Sequence, residues 1–291
     1  MKVLVTGSRG FVGKEVVKEL KRKGHTVIEF DYANGQNVLD KEDLIKSMKP
    51  AEGVIHLAGI IENTNPNLWE INVEGTRNVA ETAEKTNTKK LVFLSSTGVY
   101  GFTTKKVNEK SETNPQNNYE KSKKEGEQIC LEMQDDMGVC VIRSAMIFGA
   151  NNYWKKMFEM LRKEYPLPLH GKNKFQVIYV KDLAHAIVKV LEKGKNGEIY
   201  LAAGREKPTL NEFCEMAQEE MGIKKGVKHI HSTLGIAIGK ITGIKELSHE
   251  NIRHLGKERH YDTGKIEKLK IKTTPLKKAI KEVVKELKTK K

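Results

Sequence analysis

Short apolar runs alternate along this chain with stretches in which apolar residues recur every three or four positions. The runs are Lys2–Thr6, Thr26–Phe30, Val54–Leu57, Lys90–Ser95 and Val139–Arg143. Each is rich in β-branched residues and has no polar alternation, the pattern of a strand buried on both faces of a parallel sheet. Between them lie predicted helices. The first begins at Phe11 and carries Val12, Val16, Val17 and Leu20 on one face and Lys14, Glu15, Lys18 and Glu19 on the other. Others are expected at Lys41–Lys49, ended by Pro50, at Asn67–Thr86 with Trp69, Val73, Val79 and Ala83 toward the core, and at Asn118–Met133. Strands alternating with helices give a parallel sheet covered on both faces.

Beyond Ala150 the rhythm loosens. Helices are expected at Trp154–Lys163, Lys181–Glu192, Leu210–Met221 and Leu276–Leu287, and strands at Val177–Val180, Glu198–Leu201 and Lys228–His231. The reading is a doubly wound α/β domain over residues 1–150, to which some later segments return, and a smaller α+β lobe over 151–291 that closes over the crevice.

The first strand runs straight into Gly7, Gly10 and Gly13. A tight strand-to-helix turn needs a residue without Cβ crowding, which Gly7 supplies. Gly10 lets the backbone approach a pyrophosphate, and Gly13 lets the helix lie close on the strand. The helix N-terminus adds unpaired N–H groups and the positive end of its dipole. Asp31 ends the second strand, where a carboxylate accepts hydrogen bonds from an adenosine ribose. Strand, glycines, helix, strand and acid in this order predict a dinucleotide site. Ala58 and Gly59 leave room for the cofactor at the end of the third strand.

Composition narrows the picture. Hydrophobic residues make up 38% of 291, enough for a substantial core. No run reaches the roughly 18–20 apolar residues of a spanning helix, and Met1 leads directly into a core strand, so a cytoplasmic protein with no membrane partner is expected. Cys130, Cys140 and Cys214 are widely spaced, which suggests buried thiols rather than a metal knuckle or disulfide frame. The net charge of +14 is shared among lysines that alternate with glutamates at helical spacing. It reads as a solvated surface, with nucleic acid disfavoured because no nucleic-acid motif accompanies it. Lys288–Lys291 reads as a frayed tail.

Tyr119 and Lys123, four apart on one helix, share a face. A tyrosine with an ordinary pKa near 10 is a poor acid–base at neutral pH. A neighbouring ammonium favours the phenolate, which can exchange a proton with a substrate hydroxyl or carbonyl. Ser96, at a strand end, can hydrogen-bond the same oxygen.

These residues sit within a longer set: T-G-S-R-G-F-V-G (Thr6–Gly13), H-L-A-G (His56–Gly59), N-V-E-G-T (Asn72–Thr76), L-S-S-T-G-V-Y-G (Leu94–Gly101), Y-E-K-S-K (Tyr119–Lys123), I-R-S-A-M-I-F-G (Ile142–Gly149) and V-K-D-L-A (Val180–Ala184). The set resembles the extended short-chain dehydrogenase/reductase superfamily, in its NAD-dependent epimerase/dehydratase branch. The resemblance implies a Rossmann domain with a C-terminal substrate lobe, and Ser96, Tyr119 and Lys123 as catalytic. It implies cofactor contacts from Gly7, Arg9, Gly10, Phe11, Val12, Gly13, Asp31, Val38, Asp40, Leu57, Ala58, Gly59, Asn72, Ser95, Tyr119 and Lys123. Ser96, Thr97, Met146, Lys174 and Arg259 are the implied substrate contacts. A homodimer through a bundle containing the Tyr119 helix is implied, and no metal.

Three departures shape the reading. Dehydratases of this kind carry Asp-Glu where this chain has Thr97-Gly98, which argues against dehydration. Sugar-nucleotide epimerases place asparagine at Met146 and arginine near Phe175, where only Lys174 is close. The segment from Asp31 to Asp40 is short, so its usual helix is expected to be missing. Asp31 favours NAD, whereas Arg9 could pair with the 2′-phosphate of NADP. The leading expectation is an NAD-dependent nucleotide-sugar 4-epimerase. The alternatives are an NAD(P)-dependent ketone or hydroxysteroid-like reductase, and a non-catalytic cofactor-sensing or RNA-binding protein of the same fold.

Overall fold

Six parallel strands form the main sheet of the computed structural model, which describes residues 1–224, 226–242, 248–271 and 273–289. They are β1 (Lys2–Thr6), β2 (Thr26–Phe30), β3 (Gly53–His56), β4 (Lys90–Ser96), β5 (Gly138–Ser144) and, after two strands of a separate pair, β8 (Glu198–Ala202). Their spatial order is β2-β1-β3-β4-β5-β8. The pair is β6 (Met146–Phe148) with β7 (Val177–Tyr179), also parallel. The order reverses at β1, between β2 and β3, so a crevice opens there at the carboxyl ends of the strands.

The helices are α1 (Phe11–Arg22), α2 (Lys41–Met48), α3 (Gly75–Lys85), α4 (Asn118–Glu132), α5 (Asn152–Arg162), α6 (Val180–Lys193), α7 (Leu210–Glu220), α8 (Ser232–Thr242), α9 (His249–Leu255), α10 (Gly264–Glu267) and α11 (Leu276–Thr289). Val3, Val5, Val16, Leu20 and Ile55 join Leu183, Ile187 and Val190 in one core under α1 and α6. Leu4, Val54, Val79, Leu91, Phe93 and Ile129 form the core of the opposite face, under α2, α3 and α4. A third core holds Phe148, Trp154, Phe158, Phe175 and Phe213, with rings meeting edge to face. It is built by β6, β7, α5, α7 and α11, while β8 returns the chain to the main sheet.

Local readings are corrected at Trp69, in the Asn67–Thr86 helix and at Lys228–His231, and the missing helix between Asp31 and Asp40 is borne out. Trp69 is 48% exposed, not core. The chain at Glu70–Glu74 makes a π-helical turn before α3, and its wider winding breaks the 3.6-residue period that links Val73, Val79 and Ala83. Between Asp31 and Asp40 a 3-10 turn, Tyr32–Asn34, replaces a helix, as the short spacing requires. Lys228–His231 makes only a single bridge, His229 to Leu167. The partner segment offers Leu167 between Pro166 and Pro168, which lack the N–H groups needed to extend a ladder. Residues 241–262 were read without defined elements and contain α9. Lys290 and Lys291 of the basic tail lie outside the described residues.

Candidate active site

The glycine turn fits its predicted part closely. Gly7 has φ of 68°, in the left-handed region that favours glycine. A Cβ there would lie 2.8 Å from the Ala58 nitrogen, and one on Gly13 only 2.0 Å from the Gly7 carbonyl oxygen. Gly10 leads into α1 with no side-chain cap, leaving first-turn N–H groups for an anion. The Ser8 hydroxyl is buried beside them without a hydrogen-bond partner. Phe11 packs toward Gly149, where a Cβ would meet its ring at 2.7 Å. Phe11 and Val12 thus face the third core.

Asp31 ties this loop to β2. Its Oδ2 accepts from the Arg9 N–H and its Oδ1 from the Ala33 N–H, both at 2.8 Å. A carboxylate has about four acceptor positions, so two stay available to a ribose. The Arg9 side chain is exposed. A loop with a buried orphan hydroxyl, an uncapped helix start and no room for a Cβ at Gly7 and Gly13 fits the pyrophosphate and ribose of a dinucleotide.

Other predicted cofactor residues hold backbone. The Asp40 Oδ1 caps α2, accepting from Glu42 and Asp43 N–H groups at 3.0 and 3.1 Å. The buried Val38 side chain fills the space over Gly75. Asn72 accepts the Ile60 N–H at 2.7 Å and donates to the Ile60 carbonyl at 2.8 Å and to Ser122 Oγ at 3.0 Å. It therefore ties the loop after β3 to α4, between Tyr119 and Lys123. Leu57 and Ala58 hold their N–H groups on Thr6 Oγ1, both at 3.2 Å, and Gly59 is exposed at the strand end. Thr6 Oγ1 also meets His56 Nδ1 at 2.6 Å, and His56 Nε2 meets Thr76 Oγ1 at 2.9 Å. Thr76 donates to the Asn72 carbonyl at 2.6 Å, so it must accept from His56. Nε2 therefore carries the proton, and burial pushes the His56 pKa down to about 3.

The residues predicted to be catalytic meet where β4 faces the start of α4. Ser96 accepts from the Gly98 N–H at 3.0 Å, and its hydroxyl is near enough to the Tyr119 phenol to favour ionisation. Asn117 caps α4, and Asn63 accepts the Tyr119 N–H at 3.3 Å. Burial raises the Tyr119 pKa; Ser96 opposes that shift and Glu120 adds to it. Lys123 lies one turn on, with its Nζ 4.3 Å above the Phe93 ring. Burial lowers its pKa to about 8. In this geometry the hydroxyl of Ser96, rather than the Lys123 ammonium, eases ionisation of the phenol.

Ser95 points away from the crevice. Its hydroxyl donates to Glu127 Oε1 at 2.6 Å. Glu127 is fully buried and accepts from Arg143 at 2.9 and 2.7 Å. Arg143 also donates to the Tyr100 hydroxyl at 3.0 Å. The sequence held a signal for this cluster in the row Tyr119, Lys123, Glu127 and in a charged residue inside the apolar β5.

The remaining residues predicted to touch substrate lie on other segments. Thr97 donates to the Tyr261 hydroxyl at 3.1 Å. Residue 259 bridges Phe175, and its N–H bonds the Lys174 carbonyl at 2.9 Å. The Arg259 guanidinium is buried 5.1 Å from the Phe175 ring and donates to the His254 and Lys257 carbonyls. Among the described residues no carboxylate pairs with it, and burial lowers its pKa. The Lys174 side chain is exposed, and Met146 is half-buried at the start of β6. Glu120, beside Tyr119, pairs with Lys257 at 2.7 Å. That ion pair joins α4 to the segment carrying Arg259, and sequence spacing gave no sign of it.

A parallel sheet with a dinucleotide cradle at its switch point and a Ser-Tyr-Lys set beside it defines a short-chain dehydrogenase/reductase of the extended type. Residues 3–203 match the NAD-dependent epimerase/dehydratase family, and the chain belongs to it. It is an NAD-dependent enzyme of that family. It is similar to an Escherichia coli O157:H7 N-acetyl-alpha-D-glucosaminyl-diphospho-ditrans,octacis-undecaprenol 4-epimerase, with 27% identity over 79% of this chain and 74% of that protein. Aggregatibacter actinomycetemcomitans GDP-6-deoxy-D-talose 4-dehydrogenase is 29% identical over 77% of this chain and 83% of its own length. The fold is that of Thermotoga maritima UDP-glucose 4-epimerase, with a TM-score of 0.83 at 21% identity over 100% and 99% of the two chains.

Proposed function

We propose that the protein is an NAD-dependent nucleotide-sugar 4-epimerase. The observation that carries the substrate class is Arg259. A buried guanidinium without a carboxylate suits a diphosphate, which accepts charge-assisted hydrogen bonds from it. Residues 151–291 contribute most of the lobe that holds the substrate, with Lys174, Met146 and Thr97 lining the sugar end. By family resemblance, a helix bundle that includes α4 joins two copies in a homodimer.

When bound, NAD supplies a hydride acceptor and donor. Tyr119 takes the proton of a sugar hydroxyl and returns it. Ser96 holds the same oxygen and orients the phenol. Lys123 swings its four-carbon stem from Phe93 to the ribose side of the crevice. Gly7, Gly10, Gly13, Ser8 and the start of α1 hold the pyrophosphate. Asp31 accepts from the ribose, while Asn72, Val38 and Asp40 keep the walls in place.

Two measurements test this reading. Protein denatured after purification is expected to release stoichiometric NAD by mass spectrometry, and UDP-glucose is expected to yield its 4-epimer by NMR with no net NADH change. The reductase reading draws support from apolar Met146, where epimerases place asparagine. Steady consumption of added NADH or NADPH with a ketone, and no epimer, would replace the proposal with that reading.

Asp31 gives a prediction on cofactor choice. Its carboxylate repels a 2′-phosphate, so wild type is expected to bind NAD more tightly than NADP. Asp31→Asn keeps acceptor and size but removes the charge. It is expected to narrow that preference about tenfold, on the order of one charged hydrogen bond. Calorimetric titration of both nucleotides checks it, and tighter NADP binding by wild type would refute the assignment.

A further inference from the structure

Helix α8 (Ser232–Thr242) is built inside out. Its sequence, STLGIAIGKIT, is apolar almost throughout. The glycines face the protein: Gly235 and Gly239 are buried, and a Cβ on Gly235 would lie 2.4 Å from Pro168 and 3.5 Å from Ile252. Two large side chains face out, with Leu234 53% and Ile241 85% exposed. Ala237, between them on the same face, is exposed too. Ile236 and Ile238 are half-buried, so the helix packs by its glycines and these two side chains and leaves Leu234 and Ile241 outside the protein's own core. Its outer face is shaped for an apolar phase.

The sequence around this helix is one-sided in charge. From Met221 to Lys245 the sequence has five lysines, Lys224, Lys225, Lys228, Lys240 and Lys245, and no aspartate or glutamate. Elsewhere lysines alternate with glutamates. Lys240 is exposed on α8 itself, and His229 and His231 are exposed just before it. Lys228 pairs with Glu164 from a neighbouring element. Apolar side chains on a short helix that also carries an exposed lysine, in a stretch of sequence without a carboxylate, are the chemistry of a segment lying in the interface of an anionic bilayer. A second copy of this chain fits less well, because it would bring two sets of lysines, on two chains of +14 each, against one another.

The face also adjoins the site. Gly235 packs on Ile252 of α9, and Arg253 of α9 lies 4.3 Å from the ring of Phe102. Phe102 is 42% exposed and follows the strand-end turn that carries Ser96 and Thr97. Lys257, 4.7 Å from that same ring, pairs with Glu120 next to Tyr119.

We propose that α8 and its lysines dock the protein on an anionic membrane surface, with the mouth of the active site turned toward it. This revises the expectation of no membrane partner. Among the described residues no helix is long and apolar enough to cross a bilayer, but lying on one needs only a short apolar face.

The test is co-sedimentation of the full chain with vesicles of phosphatidylcholine alone or with about a third phosphatidylserine, the anionic lipid that attracts such lysines. Wild type is expected to pellet with the anionic vesicles only, and binding is expected to weaken as salt rises. Leu234→Glu with Ile241→Glu is expected to abolish binding, and Lys240→Gln to weaken it about fivefold. Both substituted faces are exposed, so the melting temperature should hold, and a thermal scan checks that. Equal binding to neutral and anionic vesicles, no binding to either, or full binding by the double variant would overturn the proposal. So would a wild-type dimer that the double variant converts to monomer, since the face would then belong to a second copy. None of these outcomes depends on which sugar is turned over.

Discussion

Tyr119→Phe is expected to lower kcat by about 10²–10⁴, the range for loss of a positioned acid–base group. KM should change little, because the ring stays and only the hydroxyl leaves. The structure explains why one oxygen carries so much. Burial holds the phenol proton more firmly than in water, so at neutral pH the proton leaves only with help. Ser96 gives that help in the free enzyme, and Lys123, on the same helix face, is placed to add to it once its ammonium leaves the Phe93 ring. The sign for pH follows. A raised tyrosine pKa means less phenolate at any given pH, so kcat should climb with pH from acid toward neutrality. Lys123 loses its own charge near pH 8, which limits the climb at the alkaline side. The residual rate of Tyr119→Phe should lack the acid limb. A kcat profile from about pH 5.5 to 9 for both proteins decides the matter. Retention of a tenth or more of the rate, or the same limb in the variant, would remove Tyr119 from the chemistry.

What the sequence disclosed about this site follows the reach of the forces involved. The glycine cradle was legible because its constraints are local: a left-handed turn at Gly7 and a close approach at Gly13 are set by residues a few positions apart. The row Tyr119, Lys123, Glu127 was legible because a helix repeats every three to four residues. The expectation that Lys123 would sit beside the phenol went beyond spacing. Spacing places a Cβ, whereas the position of an ammonium four bonds farther out depends on Phe93, which arrives from β4. Trp69 misled for a related reason, since a π-helical turn changes the winding just where the period was extrapolated. The pairs Glu127–Arg143 and Glu120–Lys257 join segments 16 and 137 positions apart, and no periodicity points across such gaps. Helix α8 was hidden because apolar composition predicts burial, and here the glycines took the buried side.

Removing the carboxylate of Glu127 is expected to cost about 3–5 kcal/mol, the usual result of stranding one member of a buried ion pair. Glu127 is fully buried, and Arg143 is 2% exposed. Glu127→Leu would leave the guanidinium with only Tyr100 and the Glu109 carbonyl as partners, and would strip Ser95 of its acceptor. At a few degrees per kcal/mol for a chain of this size, Tm should fall by about 10 °C. The double variant Glu127→Leu, Arg143→Met separates two explanations. If the cost is the uncompensated charge, the second substitution should recover most of the stability, because well-packed apolar residues often replace a buried pair without loss. If the cost is lost packing of α4 on β4 and β5, the double variant should be worse than either single one. Activity adds a readout that stability alone would not move. Glu127 lies one turn from Lys123 and holds Ser95, the neighbour of Ser96. The double variant, though stable, is therefore expected to keep its NAD affinity and lose kcat, since the glycine cradle is untouched while Ser95, the neighbour of Ser96, loses its acceptor and Lys123 loses the charge of a nearby carboxylate. A stable double variant with wild-type kcat would show that the pair serves the fold and leaves the chemistry to Ser96, Tyr119 and Lys123.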